Sequence, residues 1–267
     1  MKIFLISAFL FSIITSCNNT NAVDASNNNT STANTETPTP QFQVVAQYPH
    51  NNTSFTEGLE FKDSTLIEST GLYGTSKLCR IDLKTGKELL KMDLEKKYFG
   101  EGITQLNGKI YQLTYKEEKC FVYDAKTFKK LNELSYKGEG WGMTNDGKKI
   151  IMSNGSNNLY FRNTNTFAEE NVIAIFDENG KPLDQINELE LVDGFVYANI
   201  WQTNYIVKID IKQRKVVQRF DFSNLVNQYL NNVPNMDVMN GIAYNEKTKN
   251  FYITGKNWPT LFEIKMN

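Results

Sequence analysis

Histidine is almost missing from this chain: among 267 residues, His50 stands alone. A histidine-rich zinc or iron centre is therefore excluded, and only an oxygen-ligated ion is left open. Cysteine is scarce as well. Of Cys17, Cys79 and Cys120, no two form a CxxC pair. Cys79 and Cys120 fall in strand-like runs one repeat apart, a placement that suits two buried small hydrophobes better than a disulfide. Neither sign of charge dominates, since 29 basic residues face 30 acidic ones for a formal net charge of -1. Nothing in that balance attracts nucleic acid or an anionic membrane surface. The apolar run from Ile3 to Ile14 is too short to span a bilayer.

What that run does resemble is an address. Lys2 followed by Ile3 to Ile14 reads as a secretory signal, and "ITSC", ending at Cys17, is similar to the bacterial lipobox, whose cysteine becomes the lipidated first residue of the mature chain. The alternative is an ordinary cleaved signal in which Cys17 has no role. Residues 18–40, "NNTNAVDASNNNTSTANTETPTP", contain no aromatic residue and too little apolar surface to offset the entropy of ordering. The expected organisation is a signal over 1–17, a disordered polar tether over 18–40 and a folded domain over 41–267. The expected location is the bacterial cell envelope, with membrane contact through a lipid anchor only.

From residue 41 the chain alternates short apolar runs with turn signals. "DLKTGKEL" (82–89), "LNGK" (106–109), "NDGKK" (145–149), "DENGKPL" (177–183) and "NEKTKN" (245–250) read as hairpin turns, and only "FSNLVNQYL" (222–230) has a helical pattern. An internal repeat organises the strands. "EGLEF" at Glu57, "EGITQL" at Glu101, "EGWGM" at Glu139, "NELEL" at Asn187 and "NGIAY" at Asn240 each open an apolar strand, and two more strands follow each. Units of roughly 40 to 50 residues with four short strands are the mark of a β-propeller. Five such units fit. The fifth stops after its third strand, while "FQVVAQY" (42–48) has no partner in the first. Pairing that N-terminal strand with the last blade closes the ring and removes an exposed edge.

In a propeller the first strand of each blade lines the axis, so residues at the starts of those strands converge on one mouth. Glu57, Glu101, Glu139, Asn187 with Glu188, and Asn240 are expected there, each either capping a wet channel or forming part of a site. Phe55, Tyr115, Trp141, Trp201 and Lys256 fall near the same mouth, which makes an aromatic-walled pocket holding carboxylates, an amide and an ammonium.

At these residues the chain resembles the glutamine cyclotransferases of the plant and bacterial type, five-bladed propeller enzymes. The matching stretches are "FTEGL", "STGLYGTS", "YFGEGIT", "GWGMTNDG", "INELE", "ANIWQT", "VMNGIAY" and "TGKNWPTLFEIK", in that order from about residue 43 to the C-terminus. The resemblance implies conversion of an N-terminal glutaminyl residue to pyroglutamate with release of ammonia, by a monomer that needs no cofactor or metal and acts on peptides or proteins beginning with Gln. It implies that Glu101 is the acid/base residue, that Asn187 and Lys256 hold substrate carbonyls or developing negative charge, and that Phe55, Trp141 and Trp201 form walls that exclude water. Two positions depart from the plant pattern: Glu57 stands where a glutamine is common, and Tyr115 where a tryptophan is. A second carboxylate beside Glu101 is expected to disturb its pKa or the grip on the substrate ammonium. Two other readings stay open, a propeller of the envelope that only binds peptides or proteins, and a metal-dependent propeller hydrolase of lactonase type.

Overall fold

The computed structural model describes residues 41–230 and 233–267. The expected signal, the lipidation of Cys17 and the tether lie outside these residues.

Five four-stranded antiparallel sheets follow one another. Blade I comprises Thr56–Lys62, Thr65–Thr70, Lys77–Asp82 and Glu88–Asp93; blade II comprises Gly100–Leu106, Lys109–Thr114, Lys119–Asp124 and Lys130–Ser135. Blade III comprises Met143–Asn145, Lys149–Met152, Asn158–Asn163 and Glu169–Ala174, and blade IV comprises Ile186–Val192, Phe195–Ile200, Tyr205–Asp210 and Lys215–Asp221. Blade V takes three strands from the C-terminus, Met239–Asn245, Asn250–Gly255 and Thr260–Met266, and its outermost strand, Phe42–Pro49, from the N-terminus. The register runs from Phe42 opposite Met266 to Pro49 opposite Thr260, so the ring is fastened as the sequence suggests. First strands of neighbouring blades touch in series, and that of blade V touches that of blade I. The fold is a closed five-bladed β-propeller.

Local chemistry accounts for the hairpins. In blades I, II and IV the first two strands are joined by Asp63-Ser64, Asn107-Gly108 and Asp193-Gly194, all at positive φ, the conformation that matches the twist of paired strands. At the end of each third strand in blades I to IV, the side chain of Asp82, Asp124, Asn163 or Asp210 accepts hydrogen bonds from backbone N–H groups two or three residues on, which starts the turn to the fourth strand. "DENGKPL" is different. It turns within the connection from blade III to blade IV, with Asp177 N–H donating to Lys181 O. The helical pattern forms the helix Ser223–Tyr229, which inserts Leu225 between blades IV and V.

Middle strands are buried on both faces because each blade is covered by two others; Lys119–Asp124, for example, hides its four central residues. Separate apolar clusters fill the gaps between blades. Cys79 lies in the gap between blades V and I and Cys120 in that between II and III, both as free buried thiols whose ionisation burial suppresses. Every outermost strand contains a break in register, which bends the exposed edge away from a regular ladder and discourages pairing with another sheet.

The innermost strands carry the feature that positions the site. Where each of them starts, residues face the second strand two against one or with one extra: Glu57 is inserted between Thr56 and Gly58, Glu101–Gly102 face Leu113, Asn187–Glu188 face Asn199, and Asn240–Gly241 face Thr254. These are β-bulges, which re-aim a side chain out of the strict in-out alternation of a strand. In blade III the same geometry falls on Trp141–Gly142, bracketing Ser153. Equivalence with Glu101 therefore belongs to Trp141 rather than to Glu139.

Candidate active site

A cavity of about 170 Å³ opens where these bulges converge, lined by Phe55, Glu57, Phe99, Glu101, Tyr115, Trp141, Asn187, Trp201 and Lys256. Of the eleven residues that the sequence places at this mouth, eight line the cavity, and Glu139, Glu188 and Asn240 do not. Phe99 was not among those expected. Its signal was present, since Phe55-Thr56-Glu57-Gly58 repeats as Phe99-Gly100-Glu101-Gly102, placing a wall aromatic two residues before each bulged acid. The glycine after Glu101 is needed because blade III comes so close: a Cβ on Gly102 would lie 2.5 Å from Trp141 O.

The walls brace one another. Trp141 meets Trp201 edge-on with centroids 5.5 Å apart, and Phe99 lies 5.6 Å from Tyr115 and 6.2 Å from Phe55. Glu139, expected at the rim, does not line the cavity. Its Oε2 accepts from Trp141 Nε1 at 3.1 Å and its Oε1 lies 3.5 Å from Lys116 Nζ, so it orients the indole from outside. Asn240 also stands behind the wall, its Nδ2 donating to Glu57 Oε2 at 3.2 Å and to Thr56 O at 3.0 Å. Glu188 points along the axis and accepts from Leu59 N–H and Ile242 N–H at 3.2 and 2.8 Å, which ties blade IV to blades I and V.

The polar groups inside the cavity divide into engaged and free. Lys256 Nζ lies 2.7 Å from Glu57 Oε1 and 4.5 Å from the centre of the Phe55 ring. Burial pushes the Glu57 carboxyl up to about 7 despite the attraction of Lys256. Glu101 is 5% exposed and has no hydrogen bond or ion pair to another described residue. Burial first, and the Glu57 charge second, hold its pKa well above the usual carboxylate range. Asn187 Oδ1 is likewise buried without a partner among the described residues. Buried polar groups left unpaired are costly in a folded protein and mark a place where a ligand completes the set. Among the described residues no group of three or more His, Cys, Asp or Glu is placed to hold a metal ion.

A small aromatic cavity with an unpartnered acid and amide at the mouth of a propeller axis defines a site for one small polar group and its proton chemistry. The chain belongs to the glutamine cyclotransferase family, whose model matches residues 14–266. It is 34% identical over 231 residues to the glutaminyl-peptide cyclotransferase of Arabidopsis thaliana, covering 85% of this chain and 71% of that protein. The glutaminyl cyclase of Myxococcus xanthus, a solved structure, superposes with a TM-score of 0.79 at 31% identity, over 85% of this chain and 96% of that one.

Proposed function

We infer that this chain is a glutaminyl-peptide cyclotransferase, which converts the N-terminal glutaminyl residue of a peptide into pyroglutamate and releases ammonia. The observation that carries the reading is Glu101: a buried carboxyl, free of protein partners, facing an aromatic cavity of single-residue size.

The chemistry follows from the substrate. Its α-amine attacks the Cδ of its own γ-carboxamide, so the nucleophile is already attached and the enzyme's task is to fold the side chain back and move protons. Glu101 takes a proton from the attacking amine as the N–Cδ bond forms. It returns that proton to the amide nitrogen, which leaves as ammonia when the Cδ–N bond breaks. A free α-amine has a reference pKa of about 7.7 to 8.0, and an acid raised toward that range passes a proton in either direction at small cost. Asn187 and Lys256 steady the oxygen as negative charge grows on it. Phe55, Phe99, Tyr115, Trp141 and Trp201 keep water away, so that the amine and not water is the nucleophile. Glu57 holds Lys256 in place and sets the electrostatics of Glu101.

The substrates are peptides or proteins that begin with Gln. The reading of residues 1–17 supports export to the bacterial cell envelope and a lipid anchor at Cys17, with 18–40 as tether and a monomeric catalytic domain. Cys17→Ser moves the protein from the membrane fraction to the soluble one if the anchor is real; unchanged partitioning refutes it. The reaction itself is tested by ammonia release from a Gln-initiated dipeptide with and without EDTA. Release that persists in EDTA is expected. No release refutes the assignment, and loss restored by an added metal ion favours a metal-dependent hydrolase.

A further inference from the structure

The cavity holds one residue, well below the 300 to 1,000 Å³ usual for larger ligands. Whatever follows the glutamine must therefore rest on the rim. There the chain from Gly71 to Ser76 places two apolar side chains in solvent, with Leu72 41% and Tyr73 54% exposed. The segment directly adjoins the walls. A Cβ on Gly71 would overlap the Phe99 ring and lie 3.1 Å from Glu57 Cγ, and the Tyr73 ring meets Phe99 edge-on at 5.5 Å.

It is also held rigidly in a costly conformation. Leu72 has φ of +78°, a region that branched apolar residues avoid. Its carbonyl accepts from Thr75 N–H, Ser76 N–H and Ser76 Oγ, and Ser76 Oγ in turn accepts from Gly100 N–H at 3.0 Å. One serine thus bolts the turn to the residue before Glu101. Tyr73 is fixed at its other end, donating from its hydroxyl to Glu117 Oε1 at 2.8 Å, while Glu117 Oε2 is buried without a partner among the described residues. A leucine kept at positive φ, exposed, and tied to the catalytic strand gains nothing for the core by being there.

We propose that Leu72 and Tyr73 form a subsite for the residue after the N-terminal glutamine, selecting peptides whose second side chain is apolar or aromatic over those in which it is acidic. The proposal rests on the cyclotransferase reading above. Apolar contact with the leucine and the tyrosine ring favours the first class, and the Glu117 carboxylate at the tyrosine hydroxyl repels the second.

The test compares Gln-Phe, Gln-Gly and Gln-Glu, all as C-terminal amides, with glutamine amide as the substrate that has no second residue. The wild type is expected to favour Gln-Phe over Gln-Gly by about tenfold in kcat/KM, the low end of discrimination by a hydrophobic contact, and to handle Gln-Glu worst. Leu72→Asn, which tolerates positive φ, and Tyr73→Ser should bring the Phe/Gly ratio close to one. Tyr73→Phe, which keeps the ring, should preserve it. Rates on glutamine amide should be alike in all three variants, which reads an intact site. A wild type without the ratio, or a ratio that survives both Leu72→Asn and Tyr73→Ser, overturns the subsite. The same Phe/Gly ratio measured as Kd on Glu101→Gln decides the subsite without turnover. If no peptide is cyclised but the Kd ratio is present, the reaction assignment falls and the subsite stands.

Discussion

Lys256 Nζ sits 2.7 Å from Glu57 Oε1, although the two residues enter the site from blades V and I at nearly opposite ends of the chain. The pair divides the two acids of the cavity: Glu57 is paired with the ammonium, whereas Glu101, beside it, has no hydrogen bond or ion pair to a described residue and only feels the Lys256 charge without contact. Burial and the neighbouring carboxylate both work against ionisation of Glu101, which strengthens the ionised form as a base for the proton of the attacking amine.

Glu101→Gln keeps the shape of the side chain and removes its proton affinity. Turnover of Gln-peptides should fall by at least about a hundredfold, the lower end of general acid/base contributions, with the melting temperature little changed. Glu178 is the comparison, an acid in the blade III–IV connection that pairs with Arg219 at the surface. Its change to Gln should leave turnover within about twofold. Wild-type turnover in Glu101→Gln would reduce Glu101 to a rim residue.

Glu57→Gln tests the coupling. Removing the Glu57 charge removes the second cause of the raised Glu101 pKa and frees Lys256, whose charge favours ionised Glu101. Both effects lower the folded-state pKa, so the acidic limb of the kcat/KM profile, set by deprotonation of Glu101, moves to lower pH. A limb that stays in place or moves up shows that Glu57 does not govern Glu101.

His50 ties the same two blades together behind the site. Its Nδ1 lies 2.6 Å from Trp258 O, which can only accept, and its Nε2 lies 2.9 Å from Glu68 Oε1; with Glu68 ionised, the form that its lowered pKa favours, both ring nitrogens donate, as in an imidazolium. Burial and the more distant Lys77 lower its pKa, but the Glu68 carboxylate and the Trp258 carbonyl outweigh them and the net shift is upward. For Glu68, burial raises the pKa, while His50, Thr56 and Ser54 reverse this to a net lowering. His50 therefore adds stability in full below its reference pKa of about 6.5, and that share is lost as pH rises through the elevated folded value. The Glu68 share is present above about 4.3 and is lost as pH falls through the lowered one. Glu68→Gln should cost about 3 to 5 kcal/mol near neutral pH, as breaking a buried pair does. The stability gap between wild type and His50→Gln in urea unfolding should shrink as pH rises above neutral. A gap independent of pH would show that the ring is neutral.

Ring closure is tested by truncation. Deleting residues 18–40 should leave the melting temperature almost unchanged, whereas deleting through residue 48 strips the outer strand of blade V, exposes the Thr260–Met266 edge and should cost most of the fold. Equal stability of the two truncations would contradict closure by that strand.

Much of this was written in local sequence. Period-two alternation, the Asn-Gly and Asp-Gly turns and the recurrence of a polar residue at each blade's start determine five four-stranded units, because these signals act within ten residues or so. The unmatched run at 42–48 determines how the ring closes by leaving only one place for a spare strand. The pocket's membership, too, was legible from residues that open or end strands. Only the tertiary structure decided the rest. Register put Trp141, and not Glu139, on the blade III bulge, since a one-or-two-residue shift at a bulge leaves no trace in hydrophobic pattern. The engagement of Lys256 by Glu57, the support of Glu57 by Asn240 and the charge on His50 all depend on contacts between residues 183 to 208 positions apart. Electrostatics at those points is set by distance and burial, which sequence order does not contain.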